Sequence, residues 1–341
     1  MAKVHVLSRY ARLYPLAYRL SLEGHNVTFF TEEAMRPTLL WGNNEGNSPR
    51  LSFTPPEEAA DLYLLDSRGL GGFGADLVRE RKVVLGGSRL SMRFDADAPA
   101  RRKLINHLLP SVEGDTPLSC YLFGMFNGES WLEPQGLVLY QRRLMEGERG
   151  PLLGAAGVSL TPLTGRLQTE AFSPQLTEFL QQAQYKGPVH LSLRLGPEAL
   201  IFEDIDLNLS FPSLLIWSEI VKSSMYDTLL GTVTSIVKSV PWRKGVTSLG
   251  LHLSLLPSDE VSEEGLFNSA DLHHTWPDAG ATSSIIHLAW VTARGVDVQE
   301  AKRRVYRTVN ILAPQSQVQY RRDLGNVFDR QLSQVKEWGW M

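Results

Sequence analysis

The stretch "EDIDLNLSFP" (203–212) closes an apolar run with an acid and an amide two residues apart, Asp206 and Asn208. In an extended chain alternate side chains share a face, so the two present their oxygen atoms in the same direction. A carboxylate and a carboxamide oxygen suit a hard cation such as Mg²⁺. An isolated D-x-N is equally the polar rim of an ordinary strand, because so short a match recurs by chance. Glu203 falls on the opposite face under the same alternation. A second stretch, "YQRRLMEGERGPLLGAAG" (140–157), places Arg142, Arg143 and Glu148 beside Gly150 and Gly154, just after a strand signal. Backbone N–H groups and cations so arranged can receive an anion; a long loop reads the same way. The glycines at 69, 71, 72 and 74 do not form G-x-G-x-x-G and precede only a short helix, so a turn is the plainer reading than a phosphate cradle. Among the eight histidines none has metal-ligand spacing, and adjacent His273 and His274 read as surface loop.

The elements that must position these residues follow from periodicity. Val4–Leu7 is a short apolar strand, Leu13–Glu23 has helical spacing and stops at Gly24, and "HNVTFFT" is β-branched and aromatic. "DLYLLD" (61–66), a short helix and "KVVLGG" (82–87) continue the alternation, which predicts a small parallel sheet. "RRKLINHLL" (101–109) is a basic helix with a solvated face. "CYLFGMFNGESWLEP" is a hairpin turning at Asn127-Gly128, and "YKGPVHLSLRLGPEALIFEDID" is strand, tight turn, strand. The last segment, "NVFDRQLSQVKEWGWM" (326–341), carries Val327, Phe328, Leu332 and Val335 at helical spacing and ends in Trp338 and Trp340. That apolar side must be covered, by its own domain or by another subunit.

Composition bounds the function. At 341 residues the chain is longer than one core usually serves, so more than one domain is expected. A hydrophobic fraction of 43% and a charged fraction of 21% are those of a folded globular protein. The formal charge of -3 gives no general field for nucleic acid or an anionic membrane. One cysteine, Cys120, excludes an internal disulfide and a cysteine metal cluster. No apolar run approaches the about 18 residues of a membrane span, and the N-terminus lacks a signal-peptide core, so a cytoplasmic location is expected.

Three ordered stretches carry a resemblance: 126–157, 185–211 and "VTARGVDVQEAKRRVYRTVNILAPQSQVQYRRDLG" (291–325). In that order they resemble phosphoribosylamine-glycine ligase, also called glycinamide ribonucleotide synthetase, of the ATP-grasp superfamily. The third is the most specific, with Tyr320, Arg321, Asp323, Leu324 and Gly325 closing it. The resemblance implies an α/β, ATP-grasp-like fold: a parallel-sheet domain (1–105), an ATP-grasp core (106–235) and a small C-terminal α+β domain with a terminal helix (236–341). It implies ATP and Mg²⁺ as cofactors, with a nucleotide and a small-molecule amine or carboxylate as partners. Asp206 and Asn208 match the family's metal-holding E-x-N, and "ERGPLLGAAG" (148–157) its glycine loop, keeping Gly150, Pro151, Gly154 and Gly157.

The departures from the family are extensive. "SRYARLYP" (8–15) replaces the glycine-rich turn after the first strand, Leu152 and Leu153 stand where an asparagine is expected nearby, and "SSIIHL" (283–288) replaces a glycine turn. Between 110 and 120 only the nine residues "SVEGDTPLS" stand where the family inserts its ATP-clamping subdomain. The resemblance therefore implies a divergent, clamp-less relative, with catalysis weakened or lost and a binding or assembly role involving a protein partner or self-association. An active ATP-dependent carboxylate-amine ligase is the alternative.

Overall fold

A computed structural model describes residues 1–9, 11–32, 48–66, 70–109, 111–209, 212–255, 275–277, 281–282, 285–312 and 318–341. The first unit is β1 (Lys3–Leu7), α1 (Tyr14–Leu22), β2 (Asn26–Phe30), β3 (Arg50–Ser52), β4 (Leu62–Leu65), α2 (Gly71–Arg79) and β5 (Val84–Leu85). Its strands lie in the order β3-β2-β1-β4-β5 and pair in parallel throughout. Strands of such a sheet are covered on both faces, which is why β4 is uninterrupted Leu-Tyr-Leu-Leu, buried at every position. The chain winds outward from β1 through β2 and β3, then returns to β1's other side as β4, so the crevice of the sheet opens where β1 and β4 end. Gly71, Gly72 and Gly74 lie inside α2; the sequence reading had placed them in a turn. Gly74 lies so close to strand β5's exit that a Cβ there would stand 2.4 Å from the Gly87 carbonyl oxygen.

Two capped helices follow, α3 (Arg89–Ala96) and α4 (Ala98–Leu108). Ser88 Oγ accepts from the Ser91 amide and Asp97 Oδ1 from the Ala100 amide, each supplying an acceptor that a helix N-terminus lacks. Among the described residues, no helix or strand lies between α4 and the next strand, only a bridge from Val112 to Leu200.

Among the described residues, the rest of the chain builds a second sheet of ten strands. Its elements are β6 (Leu118–Phe126), β7 (Trp131–Met145), β8 (Arg149–Pro162), α5 (Gly165–Ala171), α6 (Pro174–Gln182), β9 (Gly187–Leu195), β10 (Leu200–Asp206), α7 (Ser213–Ile220) and α8 (Met225–Thr234). They are followed by β11 (Thr247–Leu255), β12 (Thr275–Pro277), β13 (Ala281–Thr282), β14 (Ile285–Gly295), α9 (Val298–Leu312), β15 (Val318–Gln319) and α10 (Leu324–Glu337). The order is β10-β9-β6-β7-β8-β11-β14-β12, with β13 on β14 and β15 on β11. Alternation assigns its two faces. Leu137, Leu139, Leu191, Leu193, Leu251 and Leu253 pack against α5, α6, α9 and α10. Phe123, Val138, Val158 and Leu160 face the other way, toward α7, α8 and α1 of the first unit.

The terminal segment folds back onto its own chain. Phe328, Val335 and Trp340 are fully buried, the Trp340 indole Nε1 donates to the Gly196 carbonyl at 2.8 Å, and the Arg166 guanidinium stands 4.2 Å over its ring.

Candidate nucleotide and metal site

Asp206 is the last residue of β10 and stands opposite His190 of β9 in the antiparallel register. Both point away from the leucine-lined face, so they meet the polar members of β6 and β7 on the side of the first unit. The His190 ring is buried, 5.0 Å from that of Phe123. Burial holds the imidazole down to about pH 4, against the opposing pull of the Asp206 carboxylate and a hydrogen bond to its backbone. His190 is thus neutral at pH 7. The chain then turns tightly. The Asn208 amide donates to Asp206 Oδ1 at 2.8 Å, and the buried Tyr185 hydroxyl donates to the Leu207 carbonyl at 2.9 Å. The turn leaves Asn208 only 6% exposed, with its Oδ1 buried and without a hydrogen-bond partner. A buried, unsatisfied acceptor costs about 1–3 kcal/mol unless something fills it.

Arg142 belongs to this face. It reaches the Tyr121 hydroxyl, and the Tyr121 and Tyr140 rings meet edge to face at 4.9 Å. Tyr140 bonds Ser213 through its hydroxyl. Its phenol is pushed well up, first by burial, against the Ser213 hydrogen bond and the Arg142 charge, with Tyr121 and Asp206 adding to the rise.

The other residues expected to hold a cofactor lie elsewhere. Arg143 alternates to the opposite face of β7 and donates to the Gly150 carbonyl at 2.8 Å. Glu148 pairs at 2.6 Å with Arg321, whose side chain is 1% exposed and also pairs with Asp323 at 2.5 Å. Arg321 Nη1 donates to the Arg143 carbonyl at 3.3 Å. These residues lock the β7–β8 hairpin to the chain ahead of α10. From Arg149 on, "ERGPLLGAAG" is strand β8, not a loop, and Glu148 is in the turn before it. Gly150 and Gly154, with φ of +78° and +77°, sit where the β7–β8 register slips twice near Arg143, and only a residue without a Cβ takes that conformation cheaply. Glu203 pairs with Arg194 at 2.8 Å, and Arg101 with Asp204 at 2.6 Å; β10 slips its register between Phe202 and Asp204, so Glu203 reaches the Arg194 that shares a face of β9 with His190, and the simple alternation expected for it does not hold. His273 and His274, Tyr10, and Ser210 in the family's arginine position lie outside the described residues.

The crevice of the first sheet contributes a second acid. Asp66, just past β4, accepts the Ser8 hydroxyl at 2.6 Å, while its other oxygen is buried without a hydrogen bond of good geometry. Burial raises its carboxyl pKa, outweighing Ser8, the Arg9 backbone and the Arg12 charge, which act in the opposite sense. Gly86 joins the two places: a Cβ on it would stand 2.1 Å from the Leu65 carbonyl oxygen and 3.1 Å from Leu209 Cδ1. The neighbours of Asp66 and of Asn208 therefore touch through one glycine. Sequence reasoning passed over His190 and Asp66. The signals were present: His190 is out of phase with the leucines of its strand, and Asp66 ends a strand at the reversal of strand order.

Mg²⁺ takes near-octahedral oxygen ligands at about 2.0–2.1 Å and is usually held by one or two carboxylates, with water and phosphate completing the shell. Asp206 supplies one carboxylate and the orphan Asn208 Oδ1 a neutral oxygen, so the pair fits a cation that arrives with phosphates. Among the described residues, no group of three or more His, Cys, Asp or Glu side chains could hold a metal by itself. The neutral His190, the two phenols and Arg142 supply hydrogen-bond donors and one positive charge on the same face.

The fold these elements define is the α/β, ATP-grasp-like one: a parallel-sheet N-terminal domain followed by a large antiparallel sheet. It is shared with phosphoribosylamine–glycine ligase from Thermotoga maritima at 15% identity, over 94% of this chain and 99% of that one, with a TM-score of 0.60. An L-amino acid ligase from Bacillus licheniformis aligns over 92% of this chain and 98% of its own, at 10% identity and a TM-score of 0.57. A biotin carboxylase–β-γ-ATP complex from Campylobacter jejuni aligns over 99% and 97%, at 6% identity and 0.63. No protein-family model and no curated protein matches the sequence. No helix among the described residues is long and apolar enough to cross a membrane.

Proposed function

We propose that the chain is a clamp-less, divergent relative of phosphoribosylamine-glycine ligase. It holds a Mg²⁺–nucleotide at Asp206 and Asn208, with ligase turnover weakened or lost, and acts through binding or assembly. The buried, unsatisfied Asn208 Oδ1 beside Asp206 carries this reading, because a cation bridging to phosphate would satisfy both. Arg142 is the cation placed to meet a phosphate, while Arg143, Glu148 and Gly150 are committed to the Arg321 network. ATP as the nucleotide draws support from the fold shared with a biotin carboxylase crystallised with β-γ-ATP. The weakening of catalysis rests on chemistry. Acyl-phosphate formation needs charge on the transferring phosphoryl stabilised from several sides and water excluded, and one carboxylate with a nine-residue bridge (111–119) in the clamp's place supplies little of either.

An active carboxylate-amine ligase is the second reading, and Asp66 favours it. A carboxyl whose pKa burial raises, adjoining the metal pair through Gly86, is placed to exchange a proton with an amine. Phosphate release from ATP and Mg²⁺ separates the two. With glycine and ammonia, hydroxylamine or phosphoribosylamine as acceptors, the binding reading expects no acceptor-dependent release above the Asp206→Ala background. Acceptor-dependent turnover near the about 1 s⁻¹ of ordinary enzymes, abolished by Asp206→Ala, would establish the ligase instead.

A further inference from the structure

A cavity of about 620 Å³ lies between the first unit and the end of α8, lined by α2, the turn after β5, the start of α3, Lys186 and Val233. It contains none of Asp206, Asn208, His190, Tyr140 or Arg142. Its charged lining among the described residues is Arg79, Lys82, Arg89 and Lys186, with no acidic side chain among them, although the whole protein carries a formal charge of -3. Two of the four cations are engaged: Arg79 pairs with Asp76, and Lys186 Nζ donates to the Val233 carbonyl at 2.7 Å. Lys82 and Arg89 pair with no acid among the described residues. The N-terminus of α3 opens on the same cavity. Ser88 satisfies the Ser91 amide, while the first-turn amides of Arg89 and Leu90 have no carbonyl within the helix to receive them. Positive side chains in a concave, partly apolar wall focus a field far stronger than the net charge suggests, and a helix N-terminus adds to it with the same sign.

We propose that this cavity is a second ligand site, independent of the Asp206–Asn208 pair, and that its ligand is a small phosphorylated metabolite. The phosphate lies at the start of α3 between Lys82 and Arg89, and its organic part rests on Val78, Val83 and Val233, which line the same space. Two unengaged cations and a helix N-terminus around one concavity match a phosphate dianion better than a single carboxylate, since a phosphate offers three acceptor oxygens to donors converging from different elements.

Calorimetric titration of the full chain in EDTA, with inorganic phosphate, pyrophosphate and glycerol 3-phosphate, tests this. Saturable one-to-one binding is expected, tightest for the probes larger than inorganic phosphate and weakening as NaCl rises. Lys82→Gln and Arg89→Gln should each weaken pyrophosphate about tenfold, the loss of one charge-assisted hydrogen bond, with the thermal midpoint unchanged because both side chains are only partly buried or exposed. Asp206→Ala should leave the affinity as it was. Absence of binding at millimolar probe, affinity unchanged from wild type in both glutamine variants, or loss in Asp206→Ala would each overturn the proposal. Glycerol 3-phosphate binding no tighter than inorganic phosphate would overturn the organic part of the ligand.

Discussion

His190 should make the protein's stability fall with acid in a way that one substitution removes. Its pKa in the folded chain is lowered, so the folded state binds fewer protons than the unfolded chain wherever the pH lies between the two values. Stability is then fully present above the unfolded value and is lost as pH falls toward the folded one. The gap from 6.5 to about 4 makes this contribution on the order of 3 kcal/mol. Urea unfolding of wild type and His190→Asn at half-unit steps from pH 4 to 8 isolates this contribution, because every other titrating group is common to both. The difference in unfolding free energy should be flat above about pH 7 and turn against wild type by about 1.4 kcal/mol per pH unit near pH 5. Asp206→Asn should steepen the wild-type loss, since the carboxylate is what helps the imidazolium. A difference that stays constant with pH would mean that His190 remains solvated in solution, and the packing described around Asp206 would be wrong.

The remaining predictions concern the frame around the site. Trp340→Ala should cost about 3–5 kcal/mol and lower the thermal midpoint in calorimetry, and removal of 326–341 should unfold the C-terminal half; truncation that only changes sedimentation would contradict the buried indole. Arg321→Leu should destabilise by about 1–3 kcal/mol, because Asp323 and the Arg143 carbonyl lose their hydrogen-bonding partner, and Glu148→Gln much less, since Glu148 is largely exposed; chemical denaturation checks both. Asp66→Asn should stabilise the protein at neutral pH and lose that advantage as pH falls below the usual carboxylate range, because burial raises the Asp66 carboxyl; thermal melts at pH 3.5 and 7.5 test the sign. An unchanged or lower midpoint at pH 7.5 would show that the ionised form is not penalised.

Much of the frame was legible because periodicity is local. β1, α1, β2 and β4 follow from runs that a parallel sheet buries on both sides, and the amphipathic spacing of Phe328, Leu332 and Val335 announced a covered helix. What was not legible depended on partners distant in sequence. Glycines at 150 and 154 look like a loop until β7 is seen slipping against β8. Glu148 looks like a ligand until Arg321, far along the chain, claims it. His190 gained its place beside Asp206 only through the register of β9 on β10, and Asp66 through the strand order of a sheet. The spacing of Asp206 and Asn208 says only that alternate side chains share a face, whereas the burial that strands the Asn208 oxygen comes from Tyr185 holding the turn.

The central claim, that Asp206 and Asn208 hold a Mg²⁺–nucleotide, is tested most directly by calorimetric titration of ATP with excess Mg²⁺ into wild type, Asp206→Ala and Asn208→Ala. The account predicts one-to-one binding that requires Mg²⁺ and weakens at least about tenfold in each variant, one charged or cation-bridged contact being worth about 1.4 kcal/mol or more, with unfolding midpoints preserved. Binding that is indifferent to Mg²⁺ and to both substitutions, or no binding at millimolar ATP, would contradict it.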